Sequence, residues 1–247
     1  MHADHVTGLP GILMLSSQVD REEPLYIFGP PRIAEFVDQN RHLLDMYINY
    51  DIIVREIYEA GIIWQSDDYL IRAFPLKHTK MCFGYTLEES KRPGVFYPEK
   101  SLALGVPRGP LWSELQAGKT VRLTERSSIE PSEVMGEPRS GRKFSFVTDT
   151  LYFPEIAQEV SNSDLLICEG MFEHALIESA VDKRHMTARQ AALIARDAGN
   201  IKKLGLIHYS PRYADRELKI LLDEAREVFP DTVLTKDRMR FPIEFVD

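Results

Sequence analysis

The chain has 247 residues, 44% of them hydrophobic and 28% charged, with a net charge of −8 at neutral pH. Those proportions describe an ordinary globular protein long enough for one large core, and the negative total argues against a general nucleic-acid binder. No apolar run approaches the ~20 residues needed to cross a bilayer.

The charge is unevenly spread. Residues 91–143 hold ten basic and six acidic side chains, an excess of four, which leaves the remainder at −12. Local excess, more than the total, sets what a surface attracts. Cys82 and Cys168 lie far apart in sequence without metal or redox spacing, so both are expected as free thiols. His2, Asp4 and His5 are unlike the start of a secretory signal, and a cytoplasmic location is expected.

The opening stretch, His2-Ala3-Asp4-His5, places two imidazoles and a carboxylate within four positions. Such a set suits a divalent cation such as zinc. The spacing is not that of a helical H-E-x-x-H site, so a loop leaving a strand is expected to present these side chains. Residues 12–15 then read as a buried turn or helix start, and residues 25–28 as a buried strand stopped by Gly29-Pro30-Pro31. Helical spacing follows over residues 33–46. Residues 51–57, 69–76 and 83–87 read as strands of an antiparallel meander, with Gly61 and Ser66-Asp67-Asp68 as separators.

Between residues 88 and 142 six prolines punctuate a basic stretch with little periodicity. It reads as an excursion from a single domain spanning 1–247, with too few recurring apolar residues for a core of its own. Regular texture then returns. Strands are expected at 143–148, 165–168 and 203–207, and helices at 155–160, 187–198 and 218–229. Thr187 stands as a helix N-cap and Gly199 as a stop. Alternating strands and helices indicate a layered α/β core.

Candidate ligands recur where strands end: His78, Asp149 and His208. Side chains at such edges project into a crevice, where sites are commonly built. Together with His2, Asp4 and His5 they suffice for two metals sharing one carboxylate, an arrangement suited to hydrolysing phosphate esters.

Several segments together resemble the tRNase Z family of the metallo-β-lactamase superfamily. His2-Ala3-Asp4-His5 with Thr7-Gly8-Leu9-Pro10-Gly11 resembles the tail of its HxHxDH motif and GLPG continuation. Pro75-Leu76-Lys77-His78 before Phe83-Gly84-Tyr85 resembles the segment holding its third His. Arg92-Pro93-Gly94, the run from Leu104 to Leu111, and Leu115-Gln116-Ala117-Gly118 resemble its protruding tRNA-binding arm. Thr148-Asp149-Thr150 stands where the family has GDT, and Cys168-Glu169-Gly170-Met171-Phe172 where it has HEATF. His185 to Ala192 and His208 to Tyr213 resemble its last two motifs.

The resemblance implies a metallo-β-lactamase-like αββα sandwich whose arm spans about 88–142. It implies one zinc on His2, His78 and Asp149, and another on Asp4, His5, Asp149 and His208, with manganese or another divalent cation as substitutes. It further implies that Asp4 helps take the proton of the attacking water, and that Glu169 and His185 protonate the leaving oxygen. A carboxylate beside His185 is expected to favour its charged form. The implied activity is endonucleolytic cleavage at the 3′ end of precursor tRNA, leaving a 3′-hydroxyl, by a cytoplasmic homodimer. Another hydrolase of the superfamily acting on small phosphodiesters or esters stays open, as does an inactive RNA-binding fragment.

Three departures stand out. Cys168 and Thr148 replace the His of HEATF and the Gly of GDT, changes that can alter hydrogen bonds around a ligand without removing it. The family's first His falls two residues before His2, and Met1 occupies a variable position inside its motif. A reading frame continuing upstream through that His and the sandwich's first strands is therefore expected.

Overall fold

The structure, a computed structural model, describes residues 1–19, 21–125 and 127–245. The chain falls into two units, one of Met1–Glu88 with Lys143–Ile243, the other of Glu89–Arg142 with the residues from Glu244 on.

The first unit opens with α1 (Ala3–Val6) and α2 (Leu9–Gln18). Asp4 and His5, expected on a loop, sit in α1 itself with His2 just before it. Asp4 in the first turn faces the positive end of the helix dipole, and Pro10 starts α2 where a missing N–H costs nothing. Residues 12–15, expected as a buried turn or helix start, lie within α2, which buries only Leu13; Ile12, Met14 and Leu15 are exposed.

Strand β1 (Leu25–Gly29) is half-buried, not buried as expected, and leads through α3 (Ile33–Leu43) into β2 (Ile52–Glu56). These strands pair parallel, from Leu25↔Ile52 to Gly29↔Glu56. The expected antiparallel meander is thus corrected at its first strand: the helix between them supplies the crossover that parallel pairing requires. An unanticipated strand follows, β3 (Gly61–Gln65), which pairs antiparallel with β4 (Tyr69–Leu76). Gly61, taken from the sequence as a separator, begins it. β5 (Cys82–Glu89) comes next and neighbours β4.

The second unit holds α4 (Pro98–Ala103), α5 (Pro110–Gln116), β6 (Val121–Thr124), β7 (Ser127–Ile129) and α6 (Pro131–Val134). Val106, Leu115, Val121, Ile129 and Val134 form a buried cluster, flanked by Phe96, Leu111, Trp112, Leu123 and Met135. The expectation of too few apolar residues for a core fails here. Three of the prolines that read as breakers occupy the first helical turn instead, so short helices replace the expected irregular chain. Near the ends of this unit Arg92 bridges Arg139, and Phe245 lies under the guanidinium groups of Arg92 and Arg142 at 3.8 and 4.3 Å.

The chain re-enters the first unit through β8 (Lys143–Val147), α7 (Ile156–Glu159), β9 (Leu165–Glu169), α8 (Ile177–Lys183), α9 (Ala188–Asp197), β10 (Lys203–Ile207), α10 (Leu218–Val228) and β11 (Thr232–Leu234). A seven-stranded mixed sheet results, in the order β11-β10-β9-β8-β5-β4-β3. Strands β8 to β11 run parallel, and β5 runs antiparallel to β8. Side chains alternate across this sheet. In β4, Phe74 joins the core that α9 and α10 cover with Ala191, Ala192, Ile194, Leu221 and Ala225. Its neighbour Ala73 joins the opposite cluster, with Ile57, Phe83 and Phe28. Gly84 lets Phe74 lie flat: a Cβ there would stand 2.4 Å from the Phe74 Cζ. Among the described residues, the parallel pair β1–β2 is all of the second sheet expected of a sandwich, and no helix is long and apolar enough to cross a membrane.

Candidate metal centre

Three parallel strands bring their carboxyl ends to one edge of the sheet, where side chains leave the core. Asp149 lies two residues past β8, Glu169 is the last residue of β9, and His208 is the first after β10. His208 takes the left-handed backbone region at φ 60, which turns the chain sharply off the strand. Because β5 is antiparallel to β8, its first residue also starts at this edge, and the Cys82 thiol donates to the Asp149 carbonyl. The link from β4 to β5 carries His78. It is tied down by the Lys77 N–H on Thr150 Oγ1 at 3.0 Å and the Leu151 N–H on the Lys77 carbonyl at 2.9 Å. Helix α1 brings His2, Asp4 and His5 against the same edge.

The structure draws all eight residues singled out from the sequence into one place. His5 Nε2 meets Asp149 Oδ2 at 3.0 Å and Asp4 Oδ2 at 3.4 Å. His208 Nε2 lies 3.5 Å from Asp149 Oδ1 and 3.9 Å from Asp4 Oδ2. His78 Nε2 lies 3.2 Å from His2 Nδ1 and 3.8 Å from Asp149 Oδ2. Three donor groups follow, with the donor atoms of each within 4.8 Å of one another. Glu169, His185 and His208 form one, and the two that meet at Asp149 are Asp4, His5, Asp149 and His208, and His2, His78 and Asp149. Asp149 alone belongs to both of the latter. Imidazole nitrogen with carboxylate oxygen is the donor chemistry that zinc takes, and one shared carboxylate between two such groups fits a pair of divalent cations.

The far sides of the histidine rings are also held. His78 Nδ1 meets the Arg184 carbonyl at 2.9 Å, and His2 Nε2 meets Thr79 Oγ1 at 3.0 Å. Thr79 and Arg184 carried no signal in the sequence, although Thr79 directly follows His78. Behind them His185 Nδ1 lies 3.1 Å from both oxygens of the fully buried Glu169, which also accepts from the Thr150 N–H. The His185 ring stands between the two donor groups, with centroids 4.9 Å from His78 and 5.3 Å from His208.

Burial and charge act in opposite directions in this centre. Burial alone would raise the Asp149 carboxyl. The His5 hydrogen bond and the charges of His208, His5 and His185 outweigh it and hold Asp149 well below the usual carboxylate range. The same hydrogen bond raises His5, while burial lowers His2 and His208. Burial also lowers His185 and pushes Glu169 far up. The expectation that Glu169 would favour a charged His185 is corrected here: desolvation disfavours separated charges on both partners.

No family model matches the chain. Its fold is similar to the crystal structure of human tRNase Z, short form, with a TM-score of 0.66, 20% identity, and coverage of 99% of this chain and 77% of that one. It is also similar to YhfI, a metallo-β-lactamase fold protein of Bacillus subtilis (TM-score 0.57, 18% identity, 94% and 70% covered). A third neighbour is Zn(2+)-bound PqqB of Methylobacterium extorquens (0.51, 11%, 95% and 68%). The molecule is therefore an α/β protein of the metallo-β-lactamase fold, with its histidine and aspartate donors gathered at the strand ends.

Sequence narrows that class. Ribonuclease Z of Treponema denticola is 61% identical over 246 residues, covering 100% of this chain and 80% of the relative. Ribonuclease Z of Treponema pallidum is 56% identical over 244 residues, covering 99% and 78%. The chain belongs to the ribonuclease Z family.

Proposed function

We propose that this chain is the endoribonuclease that cuts precursor tRNA at its 3′ end, and that the centre described above carries the reaction. The observation that supports it most is the pair of donor groups joined only through Asp149, in a chain 61% identical to a ribonuclease Z. His2, His78 and Asp149 hold one cation, and Asp4, His5, Asp149 and His208 the other, zinc or manganese in each case. Bound there, the cations supply Lewis acidity, easing deprotonation of the attacking water and offsetting charge that builds on phosphorus.

The chain's own residues do the rest. Asp4 has a side chain 66% exposed, against 5% for Asp149, so it stands on the open side of the centre where it can accept the proton of the incoming water. Water adds to phosphorus, the bond from phosphorus to the 3′ oxygen breaks, and the trailer leaves with the phosphate. With burial favouring the protonated Glu169, its acid proton is shared with His185 Nδ1 and the ring carries its own proton on Nε2. His185 gives that proton to the departing oxygen and takes the one from Glu169, which yields a 3′-hydroxyl on the tRNA. Glu169, bonded to His185 Nδ1, holds the ring so that its other nitrogen faces the scissile bond.

The basic second unit grips the body of the tRNA, and the working form is a cytoplasmic homodimer. The test is incubation of the purified chain, with zinc or manganese added, with a precursor tRNA labelled at its 5′ end. One cut that leaves a 3′-hydroxyl on the mature tRNA is the expected result. Cleavage of a small phosphodiester with no cut in the RNA would favour another hydrolase of the superfamily.

A further inference from the structure

Helix α8 ends in a residue that touches the metal centre with its main chain. Arg184 lies in the left-handed region, at φ 58 and ψ 46. Its N–H donates to the Val181 carbonyl at 3.0 Å, and the next N–H, of His185, donates to the Ala180 carbonyl at 2.8 Å. These are the paired bonds that close a helix on a left-handed residue. Glycine is the usual occupant, because a Cβ strains this conformation.

The turn delivers two things at once. The Arg184 carbonyl accepts a hydrogen bond from His78 Nδ1 at 2.9 Å, and the residue after it, His185, is bonded to Glu169. A carbonyl oxygen can only accept, so the proton of His78 is on Nδ1 and a lone pair is left on Nε2. That lone pair is aimed at the donor group, 3.2 Å from His2 Nδ1 and 3.8 Å from Asp149 Oδ2. The His78 side chain is only 5% exposed, which leaves little room for water to stand in for the carbonyl. The Arg184 guanidinium makes a longer contact, Nη1 to the His78 carbonyl at 3.5 Å.

We propose that Arg184 is a positioning residue for the metal centre and acts through its main-chain carbonyl: the left-handed turn after α8 fixes the tautomer and direction of His78 while it places His185. The proposal rests on the reading of His78 as a metal donor. Its consequence is that the residue at 184 matters through the backbone it permits, not through its charge. Glycine keeps the turn. A β-branched residue is an outlier at positive φ and shifts the carbonyl away from His78. Both lose the guanidinium, so the two substitutions separate the causes.

The experiment compares the full chain with Arg184→Gly and Arg184→Ile. Imidazole nitrogen spectra of the metal-free proteins report the His78 tautomer, with His78→Gln assigning its signals. Calorimetry with zinc alone reports affinity, and circular dichroism with thermal melting reports folding. Arg184→Gly is expected to keep the Nδ1–H signature and the parent zinc affinities. Arg184→Ile is expected to lose that signature and bind one of two zinc ions about 10–100-fold more weakly, the usual cost of losing a ligand's outer hydrogen bond.

Equal weakening in both variants would assign the effect to the guanidinium and overturn the proposal. So would a parent-like His78 signature in a folded Ile variant. Should the Ile variant not fold, the parent and the Gly variant decide: Nδ1–H in both supports the proposal, and its absence from either overturns it. A parent with the tautomer and two zinc ions that leaves precursor tRNA uncut would end the functional reading while this one stood.

Discussion

His185 and Asp149 lie side by side, yet they are expected to fail differently. His185 is bonded to Glu169 through Nδ1 and groups with Glu169 and His208, but it belongs to neither of the two groups joined through Asp149. His185→Ala should therefore leave metal content unchanged and slow RNA cleavage by about 10²–10⁴-fold, the usual contribution of a placed proton donor. Asp149→Ala should empty the centre, because both groups share that carboxylate. Metal analysis of the two purified variants distinguishes them, and metal lost from the His185 variant would make that ring a ligand. The thiols offer a second check on packing. Burial raises Cys168 well above its ordinary value and Cys82 to about 11, so neither is a thiolate near pH 8. Iodoacetamide at that pH should label neither in the folded protein and both in denaturant, as counted by mass. Fast native labelling of Cys168 would contradict its place in β9. At this scale the sequence was informative wherever the donor atom belongs to the side chain, as with His2, Asp4, His5, His78, Asp149 and His208, which the structure gathers. It was silent on the Arg184 carbonyl, because every residue carries the same main-chain acceptor.

Elements were legible where one periodicity ruled. Helix α9 with its cap at Thr187 was expected at residues 187–198 and spans Ala188–Asp197, its first turn closed by reciprocal bonds between Thr187 and Gln190. Strand β2 was found as a strand and paired wrongly, because a short apolar run does not encode its partner; the crossover through α3 decides that. Strand β3 was missed because Gly61 reads as a breaker, yet a Cβ there would meet nothing within 4 Å. Gly84 is the opposite case. Gly84→Ala drives a methyl into the ring of Phe74, which is 1% exposed and walled in by the core. Overpacking of this kind costs about 1–3 kcal/mol. For a chain of this size, thermal midpoints fall by roughly 2–4 °C per kcal/mol. Gly61→Ala is the control and should move the midpoint by less than about 0.5 kcal/mol equivalent. Equal midpoints for the two variants would mean that Phe74 is not confined as the structure places it.

At the scale of the whole molecule the basic stretch changed most between sequence and structure. Its apolar residues follow no single period, because the five buried ones come one each from α5, β6, β7, α6 and the link between α4 and α5; periodicity cannot show a core assembled that way. Its ends were easier to place. Glu88 pairs with Lys143 on adjacent antiparallel strands, so the chain leaves and re-enters the sheet at neighbouring positions. Residues 90–141 can therefore be replaced by a two-residue Asn-Gly turn that closes β5 and β8 as a hairpin. Residues 90–141 carry eight basic and six acidic side chains, so the replacement removes eight cationic groups and half of the excess of four that residues 91–143 hold, weakening the local attraction for a polyanion. Cleavage of precursor tRNA should fall steeply, while hydrolysis of bis(p-nitrophenyl) phosphate at the intact centre stays at the parent rate. The salt dependence should change too, since log affinity for RNA loses about 0.7–0.9 of slope against log salt for each phosphate contact removed. Both rates and the slope are measurable on the same two proteins. Equal loss on both substrates, or an unchanged salt slope, would show that the basic unit does not hold the RNA.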